Sequence, residues 1–509
     1  MMGTQAEQDS LFTYEVNLSK RVRADHPLRA IRELVDFSFV RQEVAGCYGS
    51  KGNVSVDPVV VLKMMFLLFY DNIPSERELM AVIPERLDYL WFLGYDLDDV
   101  IPNHSVLSKA RKRWGAEAFE SFFVRVLRQC VEHALVGGSK LHLDSSLTTA
   151  NASKNSVVRG APALIEALKQ VLRDETNKLD DQDPPREEGE RDGGGTNATL
   201  VSRTDPDAPI VRRPWLEARA RYKVHRAVDD RYGVVTANLV TPGTAADGAQ
   251  AVALVKRHEA HTEMRVETCV ADSHYGTIDN YRAFQAMGIA CHMADHQKTQ
   301  APPRRNAVFA PEAFVYEADS DTYRCPAGQT LYRHHYDSKR RRIAYQTRKG
   351  VCAGCPLRDR CTKAAAGRPR QVKRYEDQEH IDAARRQTQS RGAKRDRIRR
   401  KYLMEGSFAD ATNNHGFKRC RWRRLANQRI QYALIAAVQN IRILMHHLQS
   451  GRRAAVAAHS AIAAIQRALI VLPKCIRAPH GSHNTPNPST SSFPWLNTTQ
   501  APRAIQGIP

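Results

Sequence analysis

The chain has 509 residues, 42% of them apolar, with 76 Lys/Arg against 55 Asp/Glu and a net charge of +21. That length allows more than one domain, and that charge predicts a polyanionic partner, nucleic acid first. No run of about 18 apolar residues occurs and the opening residues are polar, so a membrane partner and a signal peptide are not expected; the protein reads as cytosolic, with its ten cysteines reduced.

Residues 20–135 read as all-helical. Pro27–Val40 carries Leu28, Ile31, Leu34 and Val35 at helical spacing. Asp57 and Pro58 form an N-cap and first-turn proline ahead of Val59–Tyr70, which is apolar nearly all round and predicts a buried helix. Ser75 with Glu78 resembles a capping box. Asn103–Ala134 predicts one or two long helices with Phe119, Phe122 and Phe123 inward and Arg111, Lys112 and Arg113 outward. Short helices with basic outer faces suit a helix-turn-helix-like DNA module; a helical bundle with a solvated basic face is the plainer alternative.

From residue 138 to 450 strands and helices alternate, predicting an α/β domain. Lys140–Leu147, Tyr222–Asp229, Gly233–Thr241, Arg265–Ala271 and Gly288–Met293 read as strands, the second and third joined as a hairpin. Ala249–His258 and Gly276–Met287 read as helices. Residues 179–214, rich in Asp, Pro, Gly and Glu, predict a flexible linker, and 478–509 a disordered tail.

Three carboxylates stand where burial would be costly without a partner or a metal. Asp144 ends the run Lys140-Leu-His-Leu-Asp144, and Asp272 follows the run Val266–Ala271. Glu405 lies in a basic helix on the face that carries Ile398, Tyr402 and Phe408. In a ribonuclease-H-like fold the first strand, the fourth strand and a late helix bring such acids together. Two hard divalent cations, Mg²⁺ or Mn²⁺, held there would clamp the attacking and leaving oxygens of a phosphodiester. Each acid has a structural alternative: a turn for Asp144, a helix cap for Asp272, an ion pair with Lys401 for Glu405. Asp229, Asp230 and Asp247 compete for the role but sit at a hairpin turn or a helix start.

Residues 391–430 hold thirteen Lys/Arg against three Asp/Glu. Arg400, Lys401, Lys418, Arg419, Arg421, Arg423 and Arg424 are candidate DNA-phosphate contacts. Phe417 and Trp422 are candidates either for stacking on a base or for the core. Asn413-Asn-His-Gly416 predicts the end of the helix. In the insertion 300–390, Cys325, Cys352, Cys355 and Cys361 fall in a segment that reads as strand-poor and fit a structural Zn²⁺ site, with His334 or His335 as substitutes.

Asp144-Ser-Ser-Leu-Thr-Thr-Ala-Asn-Ala-Ser153, Ser202–Ala208, Tyr222–Asp230, Val240-Thr-Pro-Gly243, Val270-Ala-Asp-Ser-His-Tyr-Gly276, Glu405–Asp410, Asn413–Arg419 and Ala436–Arg442 together resemble the motifs of bacterial insertion-sequence DDE transposases, nearest the group of insertion sequence eleven-eighty-two. The resemblance covers about 20–450. It implies a ribonuclease-H-like mixed-sheet catalytic domain behind an N-terminal all-helical domain, with a cysteine-rich insertion. It implies an enzyme that binds terminal inverted repeats and catalyses metal-dependent cleavage and strand transfer on nucleoid DNA. Asp144, Asp272 and Glu405 would be the metal ligands, and a homodimer would join the two ends. The sequence departs from related transposases at Ile398, Lys401 and Thr412, where Tyr, Arg and Lys are common; only the charge at Lys401 is kept. Two other readings stay open: a ribonuclease-H-like nuclease without strand transfer, and a zinc-containing DNA-binding regulator.

Overall fold

The computed structural model describes residues 16–49, 54–178, 198–295, 308–338, 340–365 and 368–471. Residues 1–448 make one unit and 449–509 a second. The described part of the second is helical, ending at Val471. The expected tail at 478–509 and most of the expected linker lie outside the described residues. Among the described residues no helix is long and apolar enough to cross a membrane.

The chain begins with helices α1 (Leu18–Arg21), α2 (Pro27–Leu34), α3 (Val40–Glu43), α4 (Pro58–Tyr70), α5 (Glu76–Val82), α6 (Leu87–Leu93) and α7 (Ser105–Glu132). α2 stops short of the expected Val40. Asp36 Oδ1 accepts from the Ser38 amide at 2.8 Å and from its hydroxyl at 2.6 Å, an Asx turn that competes with the helix. α4 starts as expected, with the Val59 amide donating to Asp57 Oδ1 at 2.9 Å. Its residues from Met64 to Phe69 are all buried, each large side chain contributing about 1.5–3 kcal/mol. The Glu78 amide donates to Ser75 Oγ at the start of α5. α7 is two helical stretches joined at Gly115, whose φ of 71° only glycine adopts readily. Arg111 is not outward as expected. It shares a face with Leu107 and Trp114, is buried, and pairs with Glu76; Lys112 and Arg113 are exposed.

A mixed sheet follows, built from β1 (Lys140–Thr149), β4 (Ile210–Arg213), β5 (Leu216–Asp229), β6 (Val235–Pro242), β7 (Thr268–Ala271) and β8 (Ala290–Met293). β2 (Val157–Arg159) and β3 (Leu200–Ser202) form a separate pair, with helix α8 (Pro162–Lys178) between them in sequence. β3 and β4 correct the linker expectation for residues 200–213. In the main sheet β5 pairs antiparallel with β1, β6 and β4. β1 pairs parallel with β7, and β7 parallel with β8. Helices α9 (Ala251–Thr262) and α10 (Ile278–Ala286) supply the crossovers.

The period-2 alternation of β1 gives the sheet two different faces. Leu141 and Leu143 join Leu254, Val255, Tyr275 and Phe284 in one core. On the other face Tyr222, Val224 and Val228 join the N-terminal helices and the last helix in a second core.

The insertion corrects the strand-poor expectation. β9 (Val315–Glu317), β10 (Thr322–Arg324), β11 (Thr330–Asp337), β12 (Arg342–Gln346) and β13 (Val372–Tyr375) form an antiparallel sheet around Phe314, Tyr323, Leu331 and Tyr345. Tyr323 and Tyr345, with Tyr316 packed against them, carry much of this core, a signal the cysteine count overshadowed. Helix α11 (Arg358–Cys361) lies between β12 and β13, and α12 (Gln378–Thr388), α13 (Arg391–His415) and α14 (Leu425–Val471) follow. α13 ends at Gly416, as its sequence predicts.

α13 crosses the sheet and is tied down along its length. Asp396 accepts from Lys140 Nζ at 3.1 Å and bonds His292 at 2.8 Å. Arg399 Nε donates to Asp230 at 2.6 Å. Further on, the fully buried Arg226 donates to Ser407 Oγ at 2.8 Å and Gln439 Oε1 at 3.0 Å. One guanidinium thereby joins the sheet, α13 and α14.

Candidate active site

Asp144 is the fifth of the ten residues of β1, directly opposite Arg226 of β5. β1 and β7 run in parallel register from Lys140↔Thr268 to His142↔Val270. Continued by two residues, that register sets Asp272, just past the carboxyl end of β7, beside Asp144 in the middle of β1. The two carboxylates feel each other. Burial pushes the Asp144 carboxyl above the usual range, the Arg400 guanidinium opposes this, and the Asp272 charge adds to the rise. Asp144 Oδ2 accepts from Arg400 Nη1 at 2.6 Å, and Oδ1 from the Ser145 amide at 2.8 Å. Asp272 Oδ1 accepts from the His274 amide at 2.8 Å, and Oδ2 lies 3.2 Å from His274 Nδ1. The tight turn after Asp272 needs Gly276: a Cβ there would meet the Ala294 carbonyl oxygen at 1.8 Å.

A third carboxylate approaches from the other face of the sheet, and it is Asp247. It makes no side-chain cap bond at the helix start where the sequence placed it. Its Oδ1 accepts from Ser145 Oγ at 2.6 Å and lies 3.0 Å from Lys223 Nζ and 3.8 Å from His225 Nδ1. Burial works to raise its pKa, but the Ser145 bond and the Lys223 charge outweigh it and the net shift is downward. Tyr275, fully buried, has its hydroxyl pushed well up by burial and by the charges of Asp247, Asp144 and Asp272. Lys223, His225 and Tyr275 were missed in the sequence. The signal was available: Lys223 and His225 alternate onto one face of the strand Tyr222–Asp229, and buried charges need partners.

Glu405 is not brought into this group. It is exposed on α13. Asp396, Arg400 and Ser407 mark the side of α13 that faces the sheet; at 100° per residue Glu405 projects away from it. Ile398 and Tyr402, which share its face, are 60% and 71% exposed. The expected apolar surroundings of Glu405 are therefore solvent, because Met404 and Ala411 take the buried positions instead.

The basic candidates divide. Arg400 is turned into the sheet, on Asp144. Arg421 is turned into the protein, donating to the Leu68 carbonyl at 2.7 Å and Asn72 Oδ1 at 2.9 Å, with burial bringing its pKa down to about 10. Arg424 lies 3.6 Å from Asp207. Lys401, Lys418, Arg419 and Arg423 are exposed; Lys418 Nζ donates to Ser146 Oγ at 2.5 Å, close to Asp144. Phe417 and Trp422 are buried, Trp422 edge-on to Phe69 and under the Arg111 guanidinium at 4.0 Å.

Two stretches of the chain match known families. Residues 16–113 match the transposase domain DUF772, and residues 324–445 match a transposase DDE domain. Both matched stretches are transposase domains, and together they support an insertion-sequence DDE transposase. No curated protein matches it. Among solved structures, a piggyBac transposase synaptic complex with hairpin DNA is similar at a TM-score of 0.31 and 10% identity, over 85% of this chain and 77% of that one; a likeness that loose carries no argument here. The transposase is an enzyme of DNA cleavage and strand transfer, and enzymes of the DDE family generally use divalent metal ions.

Asp144 and Asp272 fit such a metal by chemistry: hard oxygen donors on neighbouring strands, one of them buried enough to gain from a cation. Among the described residues, however, no three His, Cys, Asp or Glu side chains close into a metal cage. That holds for the insertion of the transposase as well. Burial raises the Cys361 thiol, and Cys352, Cys325 and Cys355 are near enough to add to the rise. The Gln329 amide donates to Cys325 Sγ at 3.3 Å, while Cys352 Sγ bonds Thr347 Oγ1 at 3.1 Å. His334 and His335 are exposed.

Proposed function

We propose that this transposase binds the terminal inverted repeats of its element and cuts and joins them in a ribonuclease-H-like domain with Asp144, Asp272 and Glu405 as catalytic carboxylates. The observation that carries the reading is the meeting of Asp144, in the middle of β1, with Asp272, at the carboxyl end of the parallel strand β7, in a sheet ordered β6-β5-β1-β7-β8. Glu405 rests on its motif, inside the matched DDE segment. Its side chain has no hydrogen-bond or ion-pair partner among the described residues, and joining the other two acids would take a turn of α13 about its axis, not a change of rotamer alone. Mg²⁺ or Mn²⁺ at the carboxylates would polarise a scissile phosphate and acidify a bound water. Arg400 would leave Asp144 for a phosphate when the site fills, and Lys418, beside Ser146, would meet the strand next to the cut. Lys401, Arg419 and Arg423 would take flanking phosphates, as would the exposed basic side of the N-terminal helices. A dimer would hold two ends, on the DNA of the bacterial nucleoid. A structural Zn²⁺ on Cys325, Cys352, Cys355 and Cys361 would draw the four thiols inward.

The test is a duplex carrying the inverted repeats that flank this gene, incubated with Mg²⁺ or Mn²⁺. Wild type should cleave and join it. Asp144→Asn, Asp272→Asn and Glu405→Gln should each bind DNA and do neither; joining retained in any one variant removes that residue from the site. Sedimentation with and without DNA reads the dimer, and elemental analysis reads zinc, with well under one equivalent per chain rejecting it.

A further inference from the structure

The hairpin of β4 and β5 ends in a tip for which the fold has no use. Val211 pairs with Arg219 and Arg213 with Leu216, leaving Pro214 and Trp215 as the turn. Trp215 is 104% exposed, as open as a side chain in an extended peptide. Its φ is +66°, a left-handed backbone that bulky residues rarely adopt. An aromatic of this size in water, on strained backbone, lowers stability twice over without packing on anything. Strain of this kind points to a function when it is observed rather than assumed.

The surroundings say what the function is. Arg212 and Arg213 are exposed beside Trp215, and their side chains have no hydrogen-bond or ion-pair partner among the described residues. The one acid at the tip, Glu217, is already neutralised by Lys154 and by Arg219 at 2.7 Å. What remains presented is one free indole next to the unpaired guanidinium groups of Arg212 and Arg213. That combination suits a strand of nucleic acid: an aromatic face for a base, forked cations for the phosphates on either side. A protein partner of matching chemistry would need an acidic, apolar pocket.

The hairpin also lies at the correct end of the sheet. β5 runs antiparallel to β1, so its start projects beyond the carboxyl end of β1, five residues on from Asp144, which sits level with Asp272 after β7. Trp215 is eleven positions along β5 from Arg226, the partner of Asp144. At about 3.3 Å per residue that is at most roughly 35 Å, close to one helical turn of B-form DNA. A duplex with its scissile phosphate at Asp144 that ran along β5 would therefore meet the hairpin about one turn away.

We infer that the β4–β5 tip is a second DNA contact of this transposase, in which Trp215 wedges onto a base while Arg212 and Arg213 hold the adjoining phosphates. The inference rests on the chain acting on DNA at Asp144. It explains why a fully open tryptophan is kept on strained backbone.

The test uses the full chain and two fluorescein-labelled duplexes of about 40 base pairs, roughly four turns, one fully paired and one with a single unpaired base. Trp215→Ala should weaken binding to the second duplex about tenfold or more and lower the preference for it, with the slope of affinity against salt unchanged. Arg212→Ala/Arg213→Ala should weaken both duplexes and reduce that slope by about two. Both variants should melt no lower than wild type, since the tip packs on nothing. Affinities within twofold of wild type, or a change in oligomeric state without a change in DNA binding, overturn the proposal. Cleavage by wild type, absent in Asp144→Asn, is scored alongside, so loss of the transposase reading is distinguished from loss of this contact.

Discussion

Arg400 donates to Asp144 Oδ2 at 2.6 Å, so a cation from α13 occupies the lone pairs that a metal ion would use. The two compete for one oxygen. Replacing Arg400 by Gln removes a charge-assisted bond worth about 1.5–3 kcal/mol. Mn²⁺ affinity of the DNA-free protein should therefore rise about tenfold or more, read by the loss of the free Mn²⁺ resonance on titration. Strand cleavage should fall in the same variant if Arg400 moves to a phosphate. Unchanged Mn²⁺ affinity would mean the ion pair is no competitor.

Asp205 gives a pH dependence whose sign is definite. It is buried, and burial pushes its pKa up to about 6, against the bond donated by Tyr222. A carboxyl with a raised folded pKa binds its proton more tightly in the folded state, so stability falls as pH rises from about 4 through about 6. Asp205→Asn keeps the acceptor for Tyr222 and removes the buried charge. It should melt above wild type at pH 8, by the equivalent of about 1–3 kcal/mol, with the gap closing by pH 4. Calorimetry across that range decides it, and a constant gap would refute the assignment.

Lys223 is 4% exposed and answered by Asp247. Asp247→Ala leaves a buried ammonium without its counter-charge, at a cost of about 3–5 kcal/mol. The double variant Asp247→Ala/Lys223→Met should recover a large part of that loss. Denaturant titration of the cycle measures the coupling, and additive losses would show the pair to be independent.

Trp422 was open between base stacking and the core, and its contacts with Phe69 and Arg111 favour the core. Trp422→Ala should cost about 3–5 kcal/mol in folding, whereas Trp422→Phe should bind DNA as wild type does. Weak DNA binding by a well-folded Trp422→Phe would reverse this.

Strand order and the pairing of Asp144 with Asp272 were legible because each acid follows an apolar run and the runs alternate with helices. Glu405 was harder. Helical spacing groups it with Ile398, Tyr402 and Phe408, yet spacing cannot say which apolar stripe meets the sheet, and Met404 and Ala411 took that place. Arg111, Arg421 and Arg424 read as surface because arginine usually is. Their partners Glu76, Asn72 and Asp207 lie far away in sequence and only the fold supplies them. The Tyr-rich sheet of the insertion was hidden by attention to its cysteines.

The N-terminal helices close on residues made late. Arg421 bonds Asn72 across 349 positions, and His415 bonds the Phe69 carbonyl across 346. On the ribosome, α4 is therefore finished long before its cover exists, with an apolar surface that must be shielded until synthesis passes Trp422. A gene truncated upstream of that point would yield a product that clumps or is degraded. It would not yield a soluble DNA-binding fragment able to compete with the intact enzyme for transposon ends.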